Sequence, residues 1–182
     1  MELQRARTGT DVPPGWDYNP ADWSQRIPII GVALLGCAIA VYLALFQYGI
    51  VADVWEPFFG DGTRRILDSP LSHVLPVSDA ALGAFAYLLD AATGAIGGRA
   101  RWRTMPWMVL LFGVLVGPLG AVSVALVIAQ PVAYDAWCTL CLASAAVSIV
   151  MIGPSMDEVL ASLQHLKRNR GRFWRAFWGK SA

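Results

Sequence analysis

Four apolar stretches, separated by polar or turn-forming segments, organise the chain. They run from about Pro28 to Val51, Ala80 to Ile96, Trp107 to Gln130 and Ala136 to Ile152. A membrane-spanning helix needs about 20 predominantly apolar residues, with a range of about 17–25. The first and third stretches meet that length, whereas the second and fourth are short. The pattern predicts an all-α integral membrane four-helix bundle.

The segments between and around these stretches define the expected domains. Residues 1–27 form a polar N-terminal segment, and residues 28–153 form the four-span bundle, with a long loop at 52–78. Residues 154–182 begin after Gly153, where we expect the fourth span to end or bend. A capping-box pattern over 155–158 predicts a new helix there. Because the tail is basic and aromatic, we expect it to lie on the membrane surface as an amphipathic interfacial helix.

Basic residues are distributed unequally between the two sides of the predicted bundle. If the spans alternate in direction, twelve of the fourteen Lys and Arg residues lie on one side, and only Arg64 and Arg65 lie on the other. Positively charged loops remain in the cytoplasm. Both termini are therefore predicted to be cytoplasmic, with the loop 52–78 outside. The expected location is the bacterial inner membrane, crossed several times, with membrane lipid as one partner.

A cysteine pair opens the fourth stretch, in the sequence Cys138-Thr139-Leu140-Cys141. Residues three apart share one face of a helix. If Asp135 caps this helix, Cys138 lies in the first turn, where the helix dipole favours a thiolate, and Cys141 lies about 5 Å deeper. Such a pair can pass electrons between an aqueous thiol and a lipid-soluble acceptor such as a quinone. Two buried, reduced cysteines that only pack are the alternative.

Other uses of these features are disfavoured. Two thiols supply half of a zinc site, and no His or second CxxC lies nearby, so no metal is expected. Leu142 stands where covalent haem attachment needs a His. The basic run in the tail is interleaved with Trp residues and adjoins membrane spans, so nucleic acid is not an expected partner.

From about Pro28 to Ile152 the chain resembles the vitamin K epoxide reductase family. The resemblance is carried by four spans, a long first outer loop, the CxxC at the outer start of the fourth span, and two motifs, 66–70 (ILDSP) and 76–83 (PVSDAALG). It implies a quinone-linked membrane thiol–disulfide oxidoreductase with Cys138 and Cys141 as the catalytic pair. The implied partners are a membrane quinone, either menaquinone or ubiquinone, and a periplasmic thioredoxin-like protein.

One feature of the family pattern is missing. Catalytic members carry a second cysteine pair in the first outer loop, which relays electrons to the CxxC. The matching positions fall on Thr63 and near Trp55, and this loop contains no cysteine. Cys37, mid-way along the first span, is expected to pack. Either an external thiol reaches Cys138 directly, or the chain is a non-catalytic subunit of a larger membrane complex that would still bind quinone.

Four further residues are candidates for binding the quinone. Ser69 matches a family serine that can hydrogen-bond near the thiols or a quinone carbonyl, and Tyr87 can donate to a quinone oxygen. Trp55 and Phe58 can cover a quinone pocket from the membrane surface. The alternatives are a turn serine, a packed tyrosine and an interfacial aromatic belt.

Asp90 is an acidic residue inside the second span, and ionisable residues inside membranes usually have a function. Its position near the basic loop also allows an ion pair with Arg99 or Arg101. We expect the ion pair.

Overall fold

The structure is a computed structural model that describes residues 11–69 and 77–180. Within these residues the chain is helical and forms no strand, which confirms the all-α class. The motif residues Pro70 and Pro76 and the basic residues Arg5 and Arg7 lie outside them. In chain order the helices are α1 (Trp23–Gln47), α2 (Gly62–Leu67), α3 (Asp79–Ala95), α4 (Arg101–Thr104), α5 (Pro106–Tyr134), α6 (Thr139–Arg168) and α7 (Phe173–Phe177), with a 3-10 turn at Arg170–Arg172.

Within residues 11–69 and 77–180, three helices are long and apolar enough to cross a membrane. These are α1, α5 and α6, with mean hydropathies of 2.6, 2.4 and 1.8. Helix α3, the second predicted span, has 17 residues and packs along α1 as the fourth member of the bundle. We call the end of the bundle that holds Gln47, Asp79 and Cys138 the thiol end, and the end that holds Trp23 and Arg101 the basic end.

Small residues bring α5 and α6 into close contact. A methyl group added at Gly113 would lie 2.4 Å from Val159, and one added at Gly120 would lie 2.6 Å from Ile152. Both distances are too short for a real contact, so an added methyl group would have to displace the Val159 or Ile152 side chain. Gly117 has nothing within 4 Å. The close packing of α5 against α6 therefore involves Gly113 and Gly120.

Helix α6 does not end at Gly153-Pro154. The whole helix has 30 residues, from Thr139 to Arg168, and it is unbroken at Pro154. The prediction of a new helix over 155–158 is therefore wrong. The hydroxyl of Ser155 is buried and donates to the Met151 carbonyl at 2.6 Å, one turn back along the same helix. Neighbouring helices and hydroxyl groups let membrane helices contain proline.

Two buried arginines hold the basic end of the bundle together. Arg26 and Arg101 both donate to backbone carbonyls at the end of α3, including those of Gly94 and Ile96. The Arg101 guanidinium also forms a two-pronged ion pair with Glu158 on α6, and both side chains are buried. The last carbonyls of a helix have no partner within the helix, so these donors complete the end of α3.

Asp90 does not form the predicted ion pair. Arg101 uses its donors on Glu158 and on carbonyls of α3, and Arg99 pairs instead with Asp22. Both carboxylate oxygens of Asp90 are buried without a hydrogen-bond partner among the described residues. The prediction failed because Glu158, distant in sequence, reaches Arg101 from another helix.

The C-terminal tail folds back against the basic end. Its helix α7 has only five residues, so it is shorter than the interfacial helix that we predicted. The Trp178 ring lies 5.9 Å from the Trp107 ring at the start of α5, and this contact anchors the tail. Trp174 remains largely exposed. Contact of this basic, aromatic tail with a membrane surface stays a prediction.

Candidate functional site

The two cysteines of the CxxC lie at the thiol end, where α6 begins. Cys138 and Cys141 are at disulfide distance, with their Cα atoms 5.2 Å apart. Cys138 is the N-cap of α6, and its Sγ accepts a hydrogen bond from the Cys141 N–H at 3.0 Å. A backbone donor and the positive end of the helix dipole both stabilise negative charge on this sulfur.

Asp135 has a different role from the one predicted. It ends α5 in the left-handed conformation, with φ of 44°, and does not cap α6. The chain then needs three more residues before α6 starts at Thr139. The turn therefore places Cys138 at the cap position itself, three positions nearer the helix start than an Asp135 cap would place it.

The loop between α1 and α3 covers Cys138 completely. Cys138 has 0% of its surface exposed and packs with Ile66 and Ala136. A methyl group at Gly62 would lie 2.1 Å from the Trp137 carbonyl oxygen, so glycine is required for the loop to lie this close to the CxxC. The sequence predicted that Cys138 faces water, but in the structure the loop separates it from solvent.

Glu56 fastens the loop to the start of α6. Its carboxylate accepts from the Thr139 N–H at 2.9 Å and also from the Thr139 and Thr63 hydroxyls. It further accepts from the backbone N–H groups of Phe58 and Phe59 in the loop. Burial opposes ionisation of Glu56, but the hydrogen bonds from these donors outweigh it and lower the pKa to about 2.

Sequence reasoning missed Glu56. Its partner Thr139 is 83 positions away along the chain, so no local pattern joins the two residues. One general signal was available in the sequence. The first turn of α6 contains no acidic residue, and the free N–H groups and positive dipole at such a helix start favour a carboxylate from another part of the chain.

Replacing Glu56 with alanine should loosen the loop over Cys138. Hydrogen bonds to a charged group contribute about 1.5–3 kcal/mol each, so losing them should raise exposure of the thiol at least about tenfold. The measurement is the alkylation rate of Cys138 by a membrane-impermeant maleimide in a Cys141→Ser background. We call the hydrogen bonds that Glu56 accepts from Thr139 and Thr63 the Glu56 clamp. The folded state lowers the pKa of Glu56 from its usual value of 4.5 to about 2. The clamp therefore stabilises the loop fully above pH 4.5, and this stabilisation is lost as the pH falls towards about 2.

The matched control for this experiment is Asp61→Ala. Asp61 is an exposed carboxylate in the same loop whose side chain makes no capping hydrogen bond. Its removal should leave the alkylation rate unchanged. Equal rates in wild-type and Glu56→Ala chains would show that other contacts hold the loop in place.

Thr63 lies within the loop, at the position that matches a family relay cysteine. Its side chain is fully buried beside the start of α6. We expect a Thr63→Cys, Cys141→Ser chain to form a disulfide with Cys138 under mild oxidation, as detected by a gel shift that a reductant reverses. Arg64→Cys is the matched control, since the side chain of Arg64 is exposed and turned towards Asp53. Equal crosslinking of Cys138 to the two introduced cysteines would contradict this placement of the loop. Absence of a crosslink from both of them would contradict it as well.

An apolar cavity of about 450 Å³ lies between α3 and α5, with α1 and α6 behind it. This volume is within the range of about 300–1,000 Å³ typical of small-molecule sites. Cys141 lines the cavity, and Leu82, Val114 and Val122 on its rim are exposed on the bundle surface that faces lipid. The polar side chains of the lining are those of Asp79, Tyr87, Ser123, Gln130 and Ser144, besides Cys141.

Tyr87 lies in the wall of the cavity. It packs over Gly36, where an added methyl group would lie 2.7 Å from the ring. Its hydroxyl contacts the Ser144 carbonyl at 2.7 Å and the Ser148 hydroxyl at 2.6 Å. Packing and internal hydrogen bonds therefore account for this side chain without a ligand.

The remaining candidates lie away from the cavity. Ser69 is buried, and its hydroxyl has no hydrogen-bond partner among the described residues, but it does not line the cavity. Trp55 and Phe58 are 61% and 74% exposed on the loop surface and also do not line it. Cys37 packs against the core, with its Sγ 3.5 Å from the Ala84 carbonyl. The structure thus brings Cys141 and Tyr87 together and leaves the other three candidates outside the cavity.

Comparison with known protein families gives a match. The model of the vitamin K epoxide reductase family matches residues 27–155, which contain α3 and α5 whole, α1 except its first four residues, and α6 as far as Ser155. No curated protein and no solved structure matches the chain.

Proposed function

The chain belongs to the vitamin K epoxide reductase family of membrane thiol–disulfide oxidoreductases, and we propose that it passes electrons between an external thiol and a membrane quinone through Cys138 and Cys141. The observation that carries this proposal is the different surroundings of the two sulfurs. Cys141 lines an apolar cavity that opens towards lipid, whereas Cys138 lies under a polar loop. The pair therefore connects an aqueous side with a lipid-accessible one.

The electrons balance over two steps. An external dithiol loses two electrons and two protons and becomes a disulfide, while the bond between Cys138 and Cys141 is broken and both become thiols. The two thiols then reform their disulfide, and a bound quinone takes up the two electrons and two protons. The reverse direction uses the same residues. Cys138 is the sulfur suited to thiolate chemistry, because the Cys141 N–H and the start of α6 stabilise its charge.

The quinone fits the residues that are present. The cavity is lined mainly by aliphatic side chains and holds Tyr87 and Gln130 as polar groups near Cys141. Menaquinone and ubiquinone are both candidates, since each combines a polar ring with an apolar tail. Ser69, Trp55 and Phe58 remain proposed contributors only if the loop moves towards the cavity.

Access for the external partner requires movement of the loop. Thr63 and Trp55 stand where the family has relay cysteines, so a partner thiol has to reach Cys138 itself. Because Glu56 fastens the loop over that sulfur, binding of the partner has to displace the clamp. A periplasmic thioredoxin-like protein has suitable chemistry.

We propose an orientation with both termini in the cytoplasm of a bacterial cell and the thiol end outside its inner membrane. The charge distribution supports this, since the thiol end carries only Arg64 and Arg65 whereas the other Lys and Arg residues belong to the segments of the basic end. In this orientation residues 1–27 and 154–182 lie inside, and the basic tail faces anionic lipid. The bundle consists of residues 28–153 with the loop 52–78 outside.

A second candidate function is that of a non-catalytic, quinone-binding subunit of a larger membrane complex. The absence of cysteine from the loop and the complete burial of Cys138 favour it. Reduction of decylubiquinone by dithiothreitol in lipid nanodiscs, corrected for the direct reaction, distinguishes the two. Turnover by the purified chain supports the oxidoreductase, and binding without turnover supports the subunit.

A further inference from the structure

Gln130 is a polar side chain buried in the last turns of α5, with 3% of its surface exposed. Its Oε1 accepts a hydrogen bond from the Cys138 N–H at 3.0 Å. A backbone N–H requires an acceptor, so this bond fixes which way the amide points. The Nε2 group has no partner among the described residues, and the side chain lines the same cavity as Cys141.

The free Nε2 group is not sealed inside the protein, because the Gln130 side chain keeps 3% of its surface exposed and borders the cavity. In an apolar cavity open to lipid, a donor without an acceptor is unfavourable. The other polar groups of the cavity are engaged. The Tyr87 hydroxyl contacts Ser144 and Ser148, Ser123 donates to Ser148, and Asp79 accepts from Gln47. The amide of Gln130 is thus the available donor on the wall that it shares with Cys141. A ligand that enters from lipid and carries a carbonyl oxygen would satisfy it.

We propose that Gln130 Nε2 donates a hydrogen bond to a carbonyl oxygen of a quinone bound beside Cys141. This inference rests on the proposed function and assigns a specific group to it. When the thiols of Cys138 and Cys141 form their disulfide, two electrons and two protons pass to the quinone, and negative charge grows on its oxygens. A fixed N–H donor stabilises that charge. Since Oε1 of the same amide holds the Cys138 backbone, Gln130 links the position of the quinone to that of the cysteine pair.

The test is equilibrium binding to the disulfide form in nanodiscs, without any electron donor. The two probes are menadione, which has two ring carbonyls, and 2-methylnaphthalene, which has the same carbon skeleton and none. Wild-type protein should prefer menadione. In Gln130→Met the affinity for menadione should fall about tenfold, which corresponds to one hydrogen bond, and the affinity for 2-methylnaphthalene should stay unchanged. A purely structural role would weaken both probes equally.

Ile128→Ala is the matched control, since Ile128 lies on the same helix, is exposed towards lipid and does not line the cavity. It should bind both probes as wild type does. If Gln130→Met does not fold, the infrared carbonyl stretch of menadione bound to wild-type protein provides the second measurement and should lie at lower frequency than in empty nanodiscs. Three results would overturn the role of Gln130 and leave the quinone function standing. They are an equal loss of affinity for both probes in Gln130→Met, an unchanged preference for menadione in that variant, and an unshifted carbonyl stretch of bound menadione. Absence of menadione binding to wild-type protein overturns the quinone function as well.

Discussion

Replacing Cys141 with serine should abolish the reduction of quinone by a dithiol, with activity falling to that of protein-free nanodiscs. Cys141 is the sulfur that lines the cavity, and without it the disulfide with Cys138 cannot form. The measurement is decylubiquinone reduction by dithiothreitol, followed by absorbance. Cys138→Ser should be equally inactive, because the same bond is lost.

The two serine variants should differ in what they trap. Given glutathione disulfide, Cys141→Ser should accumulate a mixed disulfide at Cys138, because the Cys138 thiolate displaces one glutathione thiolate and no Cys141 thiol remains to break the new bond. The product is detected as a reductant-sensitive mass increase, which Cys138→Ser should not show. Cys37→Ala is the control and should keep full activity, since Cys37 only packs against the core. Full activity in either serine variant would rule out the CxxC as the reactive pair.

Replacing Glu158 with alanine should destabilise the protein by about 3–5 kcal/mol, the range found when one partner of a buried ion pair is removed. The change leaves the Arg101 guanidinium in the interior without its carboxylate. The charge cannot turn to water, because the same side chain also holds the Thr93 and Ile96 carbonyls at the end of α3. The free energy of unfolding, measured by denaturant titration in mild detergent, tests this prediction.

The exposed ion pair of the same end provides the control. Arg99 pairs with Asp22 at the surface, and 60% of the Arg99 side chain is exposed. Arg99→Ala should therefore change the free energy of unfolding by no more than about 1 kcal/mol. Similar decreases in the free energy of unfolding of Glu158→Ala and Arg99→Ala would show that burial does not determine how much the Arg101–Glu158 ion pair contributes to stability.

The predictions that held depend on short segments of sequence. Long apolar runs predicted α1, α5 and α6 because a membrane helix satisfies its own backbone hydrogen bonds, whatever its neighbours are. The CxxC predicted two sulfurs within disulfide reach at the start of a helix, and spacing along that helix is enough for that conclusion.

The predictions that failed concern residues whose partners lie on other elements. Asp90 was assigned Arg99 or Arg101 because they are near in sequence, but the donors of Arg101 are taken by Glu158 and the end of α3. A tertiary contact therefore outweighed the expectation of a partner close in sequence.

The sequence by itself determined the helical class, the apolar helices, the family resemblance and the cysteine pair, since these follow from composition and local spacing. Only the tertiary structure decided how the pair is surrounded. It brought Glu56 to Thr139 across 83 positions, turned Gln130 towards Cys138, and opened an apolar cavity beside Cys141. The physical reason is that a buried polar group takes whichever partner the packed helices place within hydrogen-bond reach, and that choice depends on the whole bundle.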